Sequence, residues 1–271
     1  MNAGIETLSD NSMLKLTDEQ LEWLCEQLPD PVRSPRGGRP PADKRKMLRG
    51  IFWILDHGAK WKDLPVTFGA KSTVHRWFTK WVREGVFESL MHRAGRCVEA
   101  RDGFKLYECF IDGTFAKARG GGDGIGGTKA GKGVKIMVLV DARGLPVAVD
   151  TSSASPHESQ LVQRLFDFLL TETTPQRVVG DRAYDSDKLD EAMAMAGTEL
   201  IAPHRSNRKV ENVTQDGRSL RRYARRWKVE RTISWLQNFR RLCIRWEKST
   251  SLFQGFLHFG CTLILLKEVL G

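Results

Sequence analysis

In the first hundred positions apolar residues recur every three or four places, the period of a helix with one buried face. Beyond Arg101 they gather into short runs that suit strands. Thr17-Asp18-Glu19-Gln20 has the form of a capping box; Leu21, Leu24 and Leu28 follow on one face, and Pro29 and Pro31 stop the helix. A basic linker rich in Gly and Pro runs from Arg33 to Pro41. Asp43 to His57 reads as an amphipathic helix with Met47, Ile51, Ile54 and Leu55 inward and Gly58 as its stop. After a turn at Trp61 to Pro65, Lys71 to Arg83 carries Val74, Trp77, Phe78 and Trp81 as a further helix. Short helices with tight turns suggest a helix-turn-helix-like module in which Ser72, His75, Arg76 and Lys80 could face a DNA groove, although a plain helical bundle fits the same pattern.

In the second half, Tyr107 to Ile111, Val134 to Val140 and Val147 to Val149 read as three consecutive strands, the last two joined by the turn Ala142-Arg143-Gly144-Leu145-Pro146, and antiparallel pairing is expected. His157 to Leu170 looks helical, Arg177 to Gly180 is a fourth strand, Ser186 to Ala196 a helix and Glu199 to Ala202 a fifth strand. A long helix is expected from about Arg218 to Arg245. The order β-β-β-α-β-α-β-α is that of a ribonuclease-H-like domain: an α/β fold on a mixed five-stranded sheet, here over residues 101–271, preceded by an all-helical region over residues 1–100.

Composition is that of a globular chain of 271 residues, 41% of them hydrophobic, enough for a sizeable core. The net charge of +10 changes the picture because it is not spread evenly. Between Leu200 and Lys248 there are 14 basic residues against four acidic ones (Glu211, Asp216, Glu230, Glu247), which equals the whole excess. Such a block, interleaved with Trp227, Trp235 and Trp246, points to a polyanionic partner, most simply nucleic acid, rather than to a merely solvated helix. The five cysteines (Cys25, Cys97, Cys109, Cys243, Cys261) form no C-x-x-C pair, so neither zinc nor a disulfide framework is indicated and a reducing cytosol fits. Met1 to Leu16 has no signal-peptide core, and the apolar stretch Phe256 to Leu266 reads as too short and interrupted to span a bilayer, so no membrane is expected.

Three carboxylates stand out by context. Asp112 and Asp181 follow strand-like apolar runs, and Glu230 lies within the basic helix. Converging carboxylates on rigid elements suit a two-metal site for phosphoryl transfer, with Mg²⁺ or Mn²⁺ bound through oxygen. Asp141, Asp150 and Asp185 are alternatives on sequence grounds alone. Tyr223, Arg226, Glu230 and Gln237 are spaced to share one helix face, opposite the apolar Trp235, Leu236, Phe239 and Leu242, and Arg226 could grip a phosphate bidentately. Gly126-Gly127-Thr128-Lys129-Ala130-Gly131-Lys132 matches the start of a phosphate-binding loop, but Gly133 replaces the Ser or Thr and a β run follows. It reads instead as a mobile basic loop near DNA, and no nucleotide cofactor is expected. Arg36-Gly37-Gly38-Arg39-Pro40 suits minor-groove insertion or a flexible linker equally.

These segments resemble the DDE transposases of bacterial insertion sequences, specifically the IS-five family, from Gly38-Arg39-Pro40 to the end of the basic helix. Gly50 to Leu55 and Gly58 to Pro65 look like its N-terminal DNA-binding region, and Ile111-Asp112-Gly113-Thr114, Gly180-Asp181-Arg182-Ala183-Tyr184-Asp185 and Trp227-Lys228-Val229-Glu230-Arg231 look like its catalytic segments. The family's Tyr-Arg-Glu-Lys signature falls on Tyr223, Arg226, Glu230 and Gln237, and the chain departs from it in carrying Gln at the last position. The resemblance implies an enzyme that binds terminal inverted repeats in duplex DNA, hydrolyses the ends and joins them to target DNA. It implies two Mg²⁺ or Mn²⁺ ions on Asp112, Asp181 and Glu230, and DNA contacts at Tyr223, Arg226, Arg231 and Gln237. It further implies a homodimer or larger assembly, in the bacterial cytoplasm at the nucleoid. The alternative is a non-catalytic, sequence-specific DNA-binding protein derived from a transposase.

Overall fold

Capping and turn chemistry set the helices of the first half. The computed structural model describes residues 16–31, 40–208 and 217–271. Most of the basic linker, with the Arg36 to Arg39 stretch, and the first fifteen residues lie outside these. Helix α1 (Asp18–Gln27) starts at the expected capping box: the Thr17 hydroxyl accepts from the Gln20 peptide N–H and the Gln20 side chain accepts from that of Thr17, both at 3.2 Å. Helix α2 (Lys44–His57) is capped by Asp43, which accepts from the Arg45 N–H at 2.9 Å, and ends at Gly58 with φ 63°. That left-handed turn needs glycine for a second reason. A Cβ at Gly58 would lie 2.8 Å from the Arg240 Cβ. Helix α3 (Lys71–Arg83) follows, and then α4 (Val86–Arg101), which the sequence reading leaves unassigned and which buries Phe87, Leu90, Met91, Ala94 and Val98.

Among the described residues the sheet has seven strands rather than five. Strands β1 (Cys109–Ala118), β3 (Gly131–Val140) and β4 (Pro146–Ser153) run antiparallel, as expected, with Asp112 opposite Val138 and Met137 opposite Asp150. Strands β5 (Arg177–Val179) and β6 (Glu199–Ile201) continue parallel beside β1, giving the order β4-β3-β1-β5-β6. The added strands are short. β2 (Gly126–Thr128) and β3 form a hairpin closed by Lys129-Ala130, so the segment expected as a mobile loop is paired structure. β7 (Ile244–Arg245) runs parallel to Lys117 and Ala118.

Two expected helices are shorter than their periodicity suggests. His157 to Leu170 is a 3₁₀ turn (Glu158–Gln160) followed by α5 (Val162–Phe166), because the chain must return to the sheet, where the Leu170 N–H meets the Val147 carbonyl at 2.9 Å. After α6 (Asp187–Met195), the long basic helix is broken into α7 (Gly217–Leu220), a 3₁₀ turn (Arg221–Arg225), α8 (Trp227–Asn238) and α9 (Arg240–Cys243). Phe239 leaves helical geometry at ψ 94°, and its ring packs on Gly260. Burial there outweighs the helical preference of the run.

The apolar stretch at Phe256 to Leu266 belongs to α10 (Thr250–Leu270), whose 21 residues are long and apolar enough to cross a bilayer, contrary to expectation. In this fold 72% of its most apolar window is buried, so it is the spine of the core. It packs along α4 and touches α1, α3, α8, α9 and β4. One apolar cluster therefore joins the N-terminal helices, α10, α8 and the sheet face carrying Phe110 and Ala116. A second lies on the other face, with Cys109, Ile111, Val162, Leu165, Tyr184 and Leu189. Alternation along β1 sends even-numbered side chains to the first layer and odd-numbered ones to the second.

Candidate active site

Among the described residues, one edge of β1 is paired only at its ends, to β5 at Cys109 and Phe110 and to β7 at Lys117 and Ala118. Asp112 sits in the opening between. Its Oδ1 accepts from the Gly113 N–H at 2.9 Å, and its Oδ2 accepts from Arg226 Nη1 at 2.8 Å. Burial raises the Asp112 pKa above the usual carboxylate value, and the Arg226 guanidinium opposes that rise. Asp181 follows β5 and Gly180 and caps the 3₁₀ turn Arg182–Tyr184, accepting from the Ala183 N–H at 2.7 Å. Its charge is near enough to push the Asp112 pKa up as well.

Glu230 lies in the first turn of α8, exposed, with Oε1 2.5 Å from Arg226 Nη2. Arg226 thus bridges Asp112 and Glu230 and stacks at 5.5 Å on the Tyr223 ring. One helical face continues to Gln237, whose amide donates to the Thr114 hydroxyl at 3.0 Å, on the same side of β1 as Asp112. The charge-bearing face of α8 therefore lies along the opening in β1. Among the described residues no three His, Cys, Asp or Glu side chains are gathered as a ready cation site. Asp112 and Glu230 converge instead on the Arg226 guanidinium, a cation that stands where their charge requires one. The Asp112 and Glu230 carboxylates offer hard oxygen donors, which fit Mg²⁺ or Mn²⁺ by donor chemistry.

The alternative acids are engaged elsewhere. Asp141 is fully buried and accepts from the N–H groups of Lys105, Arg143 and Leu145. Asp150 pairs with Arg164 at 3.0 Å, and Asp185 is held by His204, Arg208 and the Arg205 N–H.

Besides Arg226 and Gln237, two more residues expected to contact DNA turn toward the protein itself. Arg231 donates to the Arg143 carbonyl and lies 5.0 and 4.6 Å from the Trp227 and Trp235 ring centres, so it braces the β3–β4 turn. His75 is half-buried, edge-on to Trp61 at 4.8 Å, while Ser72, Arg76 and Lys80 stay exposed on α3. Arg76 also borders an open groove of about 720 Å³ between α2 and α3, with Lys46, Thr73 and Trp77. Sequence reasoning does not single out Glu158, Lys135 or the Tyr184 hydroxyl, which lie behind Asp112. The Asp-Gly pair at 112–113 was the available signal, since a glycine inside a strand marks a close approach.

A family profile described as "Transposase DDE domain" matches residues 103–265, and one described as "Putative transposase of IS4/5 family" matches residues 16–91. The chain is 33% identical over 144 residues to the "Putative transposase for insertion sequence element IS402" of Burkholderia cepacia, covering 50% of this chain but only 64% of that relative. It is 28% identical to the counterpart for element IS6501 of Brucella ovis, over 49% of this chain and 98% of the relative. The cryo-EM structure of the piggyBac transposase synaptic complex with hairpin DNA matches with a TM-score of 0.54 at 11% identity, covering 94% of this chain and 72% of that one, a likeness of fold alone.

Proposed function

This chain belongs to the family of transposase DDE domains, and from that premise we propose that it binds the terminal inverted repeats of an insertion sequence, cuts their ends and transfers them to target DNA. The observation that carries this reading is the meeting of a strand carboxylate, Asp112, and a helix carboxylate, Glu230, at the Arg226 guanidinium, with Asp181 close enough to act on Asp112.

Divalent metal use follows from the family. Two ions, Mg²⁺ or Mn²⁺, would be held by Asp112, Asp181 and Glu230, polarising water or a 3′-hydroxyl for attack and stabilising the leaving oxygen. The protein's own part is positional. Strand β1 and the Asp181 turn hold two carboxylates on a rigid frame, and α8 brings the third. Were cations to take over the Asp112 and Glu230 carboxylates, Arg226 would be free to grip a phosphate through two parallel N–H groups. Tyr223 supports it from behind, and Gln237 offers a neutral amide further along the same face.

The exposed Ser72, Arg76 and Lys80 of α3 support a division of labour in which residues 1–100 engage the element's ends and residues 101–271 perform the chemistry. Coordinating two ends calls for a dimer or larger assembly acting on DNA in the bacterial cytoplasm. Incubating the protein with an end-labelled duplex from its flanking element, with and without Mg²⁺, tests the proposal. Metal-dependent nicking at the element boundary is expected. Tight, specific binding with no cleavage under either metal would instead make the chain a DNA-binding derivative of a transposase.

A further inference from the structure

Behind Asp112 the sheet carries another acid. Glu158 follows β4 and begins a 3₁₀ turn. It approaches β1 from the face opposite α8, because Gly113 alternates with Asp112 along the strand. Its carboxyl group reaches so far that a Cβ at Gly113 would lie 3.0 Å from Glu158 Cδ and 3.1 Å from Oε1. Lys135 of β3 steadies it: the ammonium donates to the Pro156 carbonyl at 3.0 Å and stands 3.5 Å from Glu158 Oε1, with both side chains mostly buried.

On its other flank stands Tyr184, the last residue of the turn that Asp181 caps. The Tyr184 side chain is fully buried; among the described residues none meets strict hydrogen-bond geometry at its hydroxyl, and the Glu158 carboxylate is the acceptor that lies near enough to act on it. Burial above all, then the negative charges of Glu158, Asp112 and Asp181, keep this phenol a neutral donor. The Tyr184 N–H returns to the Asp181 carbonyl at 3.1 Å, so moving the ring moves the turn.

These contacts bridge a gap in the sheet. The β1–β5 ladder ends at Phe110 and Val179, before either aspartate, so no strand pairing sets the distance between Asp112 and Asp181. We propose that Glu158 is a positioning residue of the catalytic centre: wedged between Gly113 and Tyr184, it sets the separation of the two aspartates and thereby the affinity of the site for a divalent cation. The inference rests on the carboxylate triad assigned above. Lys135 balances the Glu158 charge, so the effect is one of shape and hydrogen bonding rather than of added negative potential.

The test is Mn²⁺ binding to the full-length protein without DNA, read by the electron paramagnetic resonance signal of free Mn²⁺. Glu158→Ala should weaken binding about tenfold, the low end for outer-layer partners of metal ligands. Gly113→Ala, whose Cβ would press on the Glu158 carboxyl and on Met137 Sδ while leaving the Gly113 N–H to Asp112 in place, should do the same. Glu158→Gln keeps the length and an acceptor for Tyr184, and should bind within about threefold of the parent, short of the tenfold outer-layer loss. Asp112→Asn is the reference. If it loses Mn²⁺ while Glu158→Ala and Gly113→Ala bind normally, the triad stands and the wedge is refuted. If Glu158→Gln is as weak as Glu158→Ala, charge rather than shape is at work and the wedge is also refuted. If Asp112→Asn binds like the parent, the triad itself fails and the wedge falls with it.

Discussion

Arg226 and Asp112, on different elements and far apart along the chain, pair at 2.8 Å with side chains only 16% and 18% exposed. An ion pair that sheltered holds its geometry, and Arg226 spends it on two carboxylates at once. Arg226→Ala should therefore have two consequences. Asp112, already raised by burial, should titrate still higher once its counter-charge is gone. The affinity for duplex DNA should fall and its salt slope should drop by about one unit, as for one lost phosphate contact. Binding measured across a salt series checks this, and an unchanged slope would mean that the guanidinium never leaves its carboxylates.

Gln237 tests how far DNA follows α8. Its amide now meets the Thr114 hydroxyl beside the same opening in β1. Gln237→Lys should tighten duplex binding and add about one unit to the salt slope, whereas Gln237→Ala should cost only about 1 kcal/mol. If lysine changes nothing while Arg226→Ala weakens binding, the duplex departs before this turn of the helix.

Arg241 and Glu247 form an ion pair in which both side chains are 2% exposed, and Arg241 also donates to the Ala59 carbonyl at 2.6 Å, past the end of α2. Removing one member leaves a buried charge without its partner. Arg241→Ala should destabilise the fold by about 3–5 kcal/mol. Chemical denaturation gives the value directly, and a loss under about 1 kcal/mol would mean that the pair is solvated like a surface bridge.

Asp190 supplies the pH dependence. Burial, then the charges of Asp187 and Asp185, push its pKa from the ordinary 3.8 up to about 6. The folded state therefore binds this proton more tightly than the unfolded chain does, and its contribution to stability is present below the ordinary value and lost as pH rises through about 6. Asp190→Asn should leave stability unchanged at pH 3.5 and raise it at pH 7. Melting curves across that range decide it, and a stabilisation that does not grow with pH would contradict the assignment.

What could be read from the residues follows from how local the cause is. Helix α2 is legible because Asp43, Gly58 and the apolar spacing between them all act within the segment. Strands β1 and β3 are legible from their apolar runs, and the place of Asp112 on β1 with them. Helix α4 is obscured by Gly95, which is there because Leu170 packs so close that a Cβ would lie 3.2 Å from its Cδ1. The break at Phe239 depends on Gly260, and the place of Glu158 depends on Gly113. Both are contacts between distant segments, which no local pattern announces. The glycines of the β2–β3 hairpin carry no apolar pattern, and the apolar run of α10 is a core helix only because α4 and the other helices cover it.

The central claim is that Asp112, Asp181 and Glu230 act as one metal-dependent centre, and the most direct measurement is cleavage of a labelled element end by Asp112→Asn, Asp181→Asn and Glu230→Gln beside Asp185→Asn. Each triad substitution removes a ligand charge but little volume, so each should abolish Mg²⁺-dependent cleavage while end binding persists. Asp185, held by His204 and Arg208 away from the opening, should be dispensable for the chemistry where its variant folds. Normal cleavage by any one of the three, or a folded Asp185→Asn that is inactive while Asp181→Asn cuts, would contradict the assignment.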